Sequence, residues 1–199
     1  MSWIPGKINY DILIPPLEKS IYQLSERETA NYFELFMHKI PERITYLSDR
    51  CASDLRIRPD CLDLSPESLL LLWKWFRRKA KTETVVQTAG TPEGGQTQRK
   101  ERQLTLQTEY ILRDIGMYLG ETFVKNHEGI YWTYYTKPKR DFFVNHPLLK
   151  GFVDHAYDPP FEMCFEPVHM ARVQASKLLR KRSTNADLLN LYQWWADRT

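Results

Sequence analysis

Asp114-Ile115-Gly116-Met117-Tyr118-Leu119-Gly120-Glu121 is the stretch that decides how this chain is read. Gly116 and Gly120 stand four apart, so on a helix they share one face, where two missing side chains let another backbone approach closely. In a helix interior each glycine costs about 1 kcal/mol relative to alanine, so a packing partner is expected. The neighbours are too polar for the GxxxG face of a membrane dimer. Ile111, Ile115, Leu119 and Phe123, with Leu112 beside them, extend the stretch into an amphipathic helix from about Leu104 to Asn126. Asn126-His127-Glu128-Gly129 ends that helix, with Gly129 as the turn residue. Ile130 to Thr136 is β-branched and aromatic throughout, a strong strand signal. Lys137-Pro138-Lys139-Arg140 reads as a turn, Asp141 to Asn145 as the returning strand, and a third strand is expected around Leu148 to Val153. Glu121, beside the glycine contact, is placed either to fix Trp132 or a backbone amide by a hydrogen bond or to stand solvated.

Toward the N-terminus, Lys7 to Ile14 alternates loosely and stops at Pro15-Pro16, the pattern of an edge strand or extended arm. Ser25-Glu26-Arg27-Glu28 is a capping box. Behind it, apolar residues recur every three or four positions from Ala30 to Leu47, with a kink or break expected near Lys39 because Pro41 removes a donor. Ser65-Pro66 opens a second helix that buries Leu69, Leu70, Leu72, Trp73 and Phe76 and ends in Arg77-Arg78-Lys79-Ala80-Lys81. Thr82 to Gln103 then changes character, since 12 of its 22 residues are Thr, Gln or Gly. Such a stretch buries little surface to offset its ordering entropy and is expected as a flexible loop over 82–103. His155 to Pro160 is irregular, Pro167 starts a fourth helix, and Thr184-Asn185-Ala186-Asp187 opens a last one carrying Leu188, Leu191, Tyr192 and Trp195. The fold class is therefore α+β: a predominantly helical single domain over residues 1–199, with a small antiparallel sheet in the C-terminal half. No internal repeat is present.

The 199 residues are 42% hydrophobic and 13% aromatic, enough for a core, and the net charge is +3. The longest apolar run is Leu69 to Trp73, five residues, too short to span a bilayer. No secretory signal pattern opens the chain, and Cys51, Cys61 and Cys164 are an odd set without a CxxC. Reduced thiols and a cytoplasmic location are the expectation.

Several chemistries fail on their own requirements. Gly90 to Thr97 nearly spells a phosphate-binding loop, but Gln96 stands where the lysine belongs and no buried strand leads in. No zinc spacing is met by the cysteines and histidines, and His146, His155 and Asp158 read as solvated loop polars. No Gly-x-Ser-x-Gly elbow exists, and Cys164 and His169 have no local reason to meet. No cofactor, metal site or catalytic residue is assigned. The charge is nevertheless polarised: residues 77–102 carry net +4 and Lys177, Arg180, Lys181 and Arg182 another +4, leaving the rest at −5.

The segment Ile111 to Glu121 followed by an aromatic strand with Trp132 resembles a pattern in small uncharacterised bacterial proteins, some suspected to be immunity proteins encoded beside polymorphic toxins. Pro16-Leu17-Glu18-Lys19 through Tyr32-Phe33 and Ile40-Pro41-Glu42-Arg43-Ile44 also resemble bacterial proteins of unknown function. That resemblance implies a cytosolic α+β binding protein without a cofactor and with a protein partner, such as a cognate toxin. One departure stands out, because inhibitors of cationic nuclease toxins are usually acidic and this chain is slightly basic. The expected contact residues are Glu121 and Trp132, with Tyr134, Tyr135, Lys137 and Arg140, since Tyr and Arg make good interface anchors. The alternatives are nucleic-acid association through 77–102 and 177–182, or an unrecognised enzyme with its site at Glu121. No membrane partner is expected.

Overall fold

The computed structural model describes Tyr10, Asp11, Leu13 and residues 17–90 and 96–199. The expected edge strand at Lys7–Ile14 falls mostly outside them. In chain order the elements are α1 (Glu26–Leu55), α2 (Ser68–Lys79), β1 (Thr82–Gly90), β2 (Gln96–Leu104), α3 (Leu106–Asn126), β3 (Tyr131–Thr133), β4 (Leu148–Asp154), β5 (Phe161–Phe165), α4 (Pro167–Leu179) and α5 (Asp187–Ala196). Short 3-10 turns lie at Ile21–Gln23 and Pro59–Cys61. Helices dominate, and the strands form two antiparallel sheets, β1-β2 and β3-β4-β5.

The centre is α3. Its apolar residues are buried on several sides, because α1, α2, α4, α5 and β3 all pack on it. Gly120 receives the indole of Trp132, and a methyl group there would overlap ring carbons Cζ2 and Cη2. Gly116 receives α4 instead: a Cβ would lie 2.6 Å from the Val168 Cα. The two glycines thus admit different neighbours, one a ring from the strand and the other a helix backbone. Leu119, Phe123, Phe152, Phe165 and Trp195 continue the core toward the sheet and α5.

A buried polar contact ties α1 to α3. Arg43 Nη2 lies 2.7 Å from Asp114 Oδ2, and both side chains are almost fully buried. Tyr10 donates its hydroxyl to the same oxygen at 2.5 Å, and Arg43 donates to the Asp11 carbonyl. The carboxylate is therefore surrounded by donors, which is the condition for keeping an ion pair away from water. On the other flank, the Leu64 amide donates to the Tyr118 hydroxyl, which also pairs with Ser68.

Three expectations are corrected. Helix α1 runs through Pro41 without a break. Pro41 is exposed while Ile40, Arg43 and Leu47 are buried, so the missing donor is on the solvent side and inward packing carries the helix across. Within the expected loop over 82–103, residues 82–90 and 96–103 are strands, while 91–95 lie outside the described residues: Thr82 pairs with Leu104 and the register continues to Gly90 opposite Gln96. Composition hides this because the ladder is made by backbone groups, which threonine and glutamine supply as well as valine does. The returning strand at 141–145 is instead a run of turns. There the Asp141 carboxylate accepts from the Phe143 amide, and Asn145, at φ 66°, donates Nδ2 to the Ile21 carbonyl and its amide to Tyr135 O. Short polar side chains satisfying nearby backbone groups compete with a ladder. The partner of β3 is β4, with Trp132 opposite Leu149. Strand β5 pairs with β4 across a register shift at Gly151, whose φ of 107° suits a bulge.

The notch gives a test. Gly120→Ala should destabilise the protein by about 1–3 kcal/mol through overpacking, against its helix-propensity gain. In a Trp132→Ala background the same change should be neutral or stabilising. Urea unfolding of the four proteins measures the coupling, and additive effects would refute the ring-in-notch contact.

Candidate functional site

The residues expected to form a binding face are largely engaged inside the molecule. Trp132 donates Nε1 to Glu121 Oε1 at 2.7 Å and meets Phe36 edge-on at 5.4 Å. The Tyr134 ring lies 4.9 Å from Phe33, and the Tyr135 hydroxyl donates to Asp141. Lys137 Nζ makes a surface ion pair with Glu26 at 3.2 Å, and Arg140 is exposed. Trp132 and Tyr134 therefore pin β3 and the segment after it onto α1 and α3, and Tyr135 ties that segment to Asp141.

A different group of residues converges where α4 begins. A cleft of about 230 Å³ is lined by Tyr22, Tyr32, Phe36 and Phe142 as aromatic wall, and by Arg113, His146, Glu166, His169 and Arg172 as polar lining. Glu166 precedes Pro167 and caps α4, accepting from the His169 backbone amide. Its side chain is buried, and burial pushes its carboxyl up to about 7, opposed by the cap amides and Arg172. His146 is carried in by the turns that replace the expected strand. Burial, aided by His169 and Arg172, pushes its imidazole down to about 4. Its Nε2 is shut off from solvent and has no hydrogen-bond partner among the described residues. His169 is also lowered by burial, and its ring packs on Phe142 and Phe143.

The two arginines come from separate helices. Arg113 lies over the Tyr110 ring and donates Nη1 to the Leu13 carbonyl at 2.6 Å. Arg172 donates Nε to Glu109 at 2.6 Å. At neutral pH the cleft thus holds two cations, two neutral imidazoles and a carboxyl near its titration point, a composition suited to holding an anion or exchanging a proton. None of this was visible in the sequence, because the contributing residues span positions 22–172 with no common spacing. The one local signal was Glu166 before Pro167, a carboxylate at a helix start. His155 and Asp158, considered with His146 on sequence, lie in the exposed turn between β4 and β5.

The first basic segment also reaches Asn185, three residues beyond the second. Arg77 donates to Asn185, and a recess of about 310 Å³ is lined by Lys74, Arg77, Arg78 and Asn185. Arg180, Lys181 and Arg182 are exposed on the loop that leads to Asn185. Lys79 is neutralised by Asp54 at 3.0 Å, and Lys177 by Asp187 at 3.2 Å. On the two strands Arg99, Lys100 and Arg102 stand against Glu83 and Glu101, net +1, so most of the positive excess of residues 77–102 sits at the end of α2.

All three cysteines are free thiols. Among the described residues no group of three metal-ligating side chains converges, and no helix is long and apolar enough to cross a membrane. No protein-family model, curated relative or solved structure matches the chain.

The cleft makes stability depend on pH in two opposed ways. Glu166 titrates near 4.5 when unfolded and about 7 when folded, so the unfolded chain loses its proton first and stability falls as pH rises through that window. The loss is on the order of 3 kcal/mol. His146 falls from 6.5 to about 4 on folding, so the unfolded chain gains a proton first and stability falls as pH drops through that window. Melting curves of wild type and Glu166→Gln should therefore diverge between pH 4.5 and 7, with the variant gaining relative to wild type. Parallel pH profiles would show that Glu166 is not held in a desolvated site.

Proposed function

We propose that this protein is a non-enzymatic protein-binding module, and that it serves as a toxin-neutralising immunity protein of the kind its α3 segment resembles. The observation that carries the binding reading is the β1–β2 hairpin. Its nine-pair ladder is joined by no third strand among the described residues, and Val86 on it is 53% exposed. An isolated two-stranded ladder is marginal in water, and an open strand edge is a ready template for a strand from another chain. Main-chain pairing along such an edge supplies affinity, while side chains supply selectivity. The uncompensated cations at the foot of the hairpin, Arg77 and Arg78, favour an acidic partner surface. That polarity fits a toxin other than a cationic nuclease, which answers the charge departure noted above.

A second reading draws on the Arg77–Asn185 contact, which brings the first basic segment to the loop that carries the second. Together these cations make a patch that could follow a phosphate backbone. Its signature would be affinity that falls steeply with salt, with the slope reduced by about one for each phosphate contact removed, as in Arg78→Gln or Arg182→Gln.

Shortening the hairpin separates the readings. Replacing residues 85–101 with an Asn-Gly turn joins the paired Thr84 and Arg102. This variant should melt within a few degrees of wild type, yet bind the purified partner at least about tenfold more weakly by titration calorimetry. Equal affinity of both proteins for that partner, or no protein partner recovered by the intact chain from its native host, would overturn the hairpin reading.

A further inference from the structure

Beyond protein binding, the cleft at the start of α4 contains polar groups that the fold itself does not explain. His146 lines it with an imidazole whose Nε2 is shut off from solvent and has no hydrogen-bond partner among the described residues. Arg172 is tied to Glu109 through Nε alone, leaving both terminal nitrogens unengaged among the described residues. Arg113 is held by Tyr110 and Leu13 and lines the same space. Neither the capping of α4 nor the core packing needs two guanidinium groups and an unpaired imidazole in one recess.

We infer that this cleft is a binding site for a small, flat carboxylic acid, with its carboxylate between Arg113 and Arg172 and its body against the aromatic wall.

Each part of the assignment has its own reason. Planar, forked guanidinium groups match the two oxygens of a carboxylate. The wall of Tyr22, Tyr32, Phe36 and Phe142 accepts a flat apolar body. At about 230 Å³ the cleft is smaller than the 300–1,000 Å³ typical of drug-sized ligands, which restricts it to a small metabolite and excludes a dinucleotide. Glu166 selects for low charge, since a second negative charge beside a buried carboxyl is repelled while a carboxylate can share that carboxyl's proton. A monoanionic carboxylate therefore fits better than a phosphate dianion.

The test uses the intact protein and three probes of one shape: benzoate, phenyl phosphate and benzylamine. Titration calorimetry measures affinity, and the His146 Cε1 proton resonance reports the site directly. Benzoate should bind, shift that resonance and lose at least about tenfold in affinity in Arg172→Gln. Arg172 is half-exposed on α4, so its variant should keep the wild-type melting temperature. The Arg172→Gln titration and the resonance shift in wild type together decide the question. Phenyl phosphate binding more tightly than benzoate would overturn the carboxylate assignment. Equal binding of benzylamine would overturn the role of the arginines. No benzoate binding, or binding unaffected by Arg172→Gln, would remove the site altogether. None of these outcomes depends on the hairpin or on a protein partner.

Discussion

The structure depends on how closely other elements can approach one helix. Helix α3 is surrounded, and two of its positions lack side chains where its neighbours come nearest. At Gly120 the indole of Trp132 occupies the space of a Cβ, and at Gly116 the backbone of α4 does the same. Glu121 then fixes the indole by its N–H, so the ring is held by shape on one side and by a hydrogen bond on the other. These contacts set where β3 and α4 lie, and through them where the sheet and the α4 N-terminus lie. The small residues exchange helix propensity for proximity, and dispersion between close-packed atoms is what that proximity provides.

Polar burial is handled in two contrasting ways around the same helix. Between α1 and α3, Asp114 is matched by Arg43 and Tyr10, so a charge far from water still has its donors. At the other crossing, where α4 starts, the matching is incomplete. Glu166 is capped by backbone amides but lifted toward neutrality, His146 is kept uncharged, and one of its nitrogens has no described partner. Complete networks specify a structure, whereas incomplete ones in a recess are where proteins meet ligands. This difference separates scaffold from site more sharply than residue type does, since both places are built from carboxylates, arginines and tyrosines.

The hairpin and the basic patch belong to a third layer, added onto this core. Strands β1 and β2 leave the body between α2 and α3, anchored at their base where the Lys81 amide donates to Thr108 Oγ1 and the Thr105 amide to the Lys81 carbonyl. Beyond that base the ladder is bonded to itself. A surface element that adds little to the core is free to serve recognition, and shortening it tests function with little cost to folding.

Local chemistry was enough to read the helices. The Ser25–Glu28 capping box, Pro167 at the start of α4, the apolar stripe of α3 and its paired glycines are all signals within one or two turns, and each reappears in the structure. The Glu121–Trp132 hydrogen bond was one of three fates open to that carboxylate in the sequence, and only the structure chose it over a backbone amide or solvent. Strand pairing was not legible. Backbone ladders carry little side-chain signature, so β1–β2 passed for a loop, and Asp141 and Asn145 turned an apparent strand into turns. The cleft lay furthest from view. Tyr32, Arg113, His146, Glu166 and Arg172 share no spacing in the chain, and only the packing of α1, α3 and α4 brings them within reach of one ligand. Periodicity and capping act over a few residues and so belong to the sequence; desolvation and convergence act across the fold and are decided by tertiary structure alone.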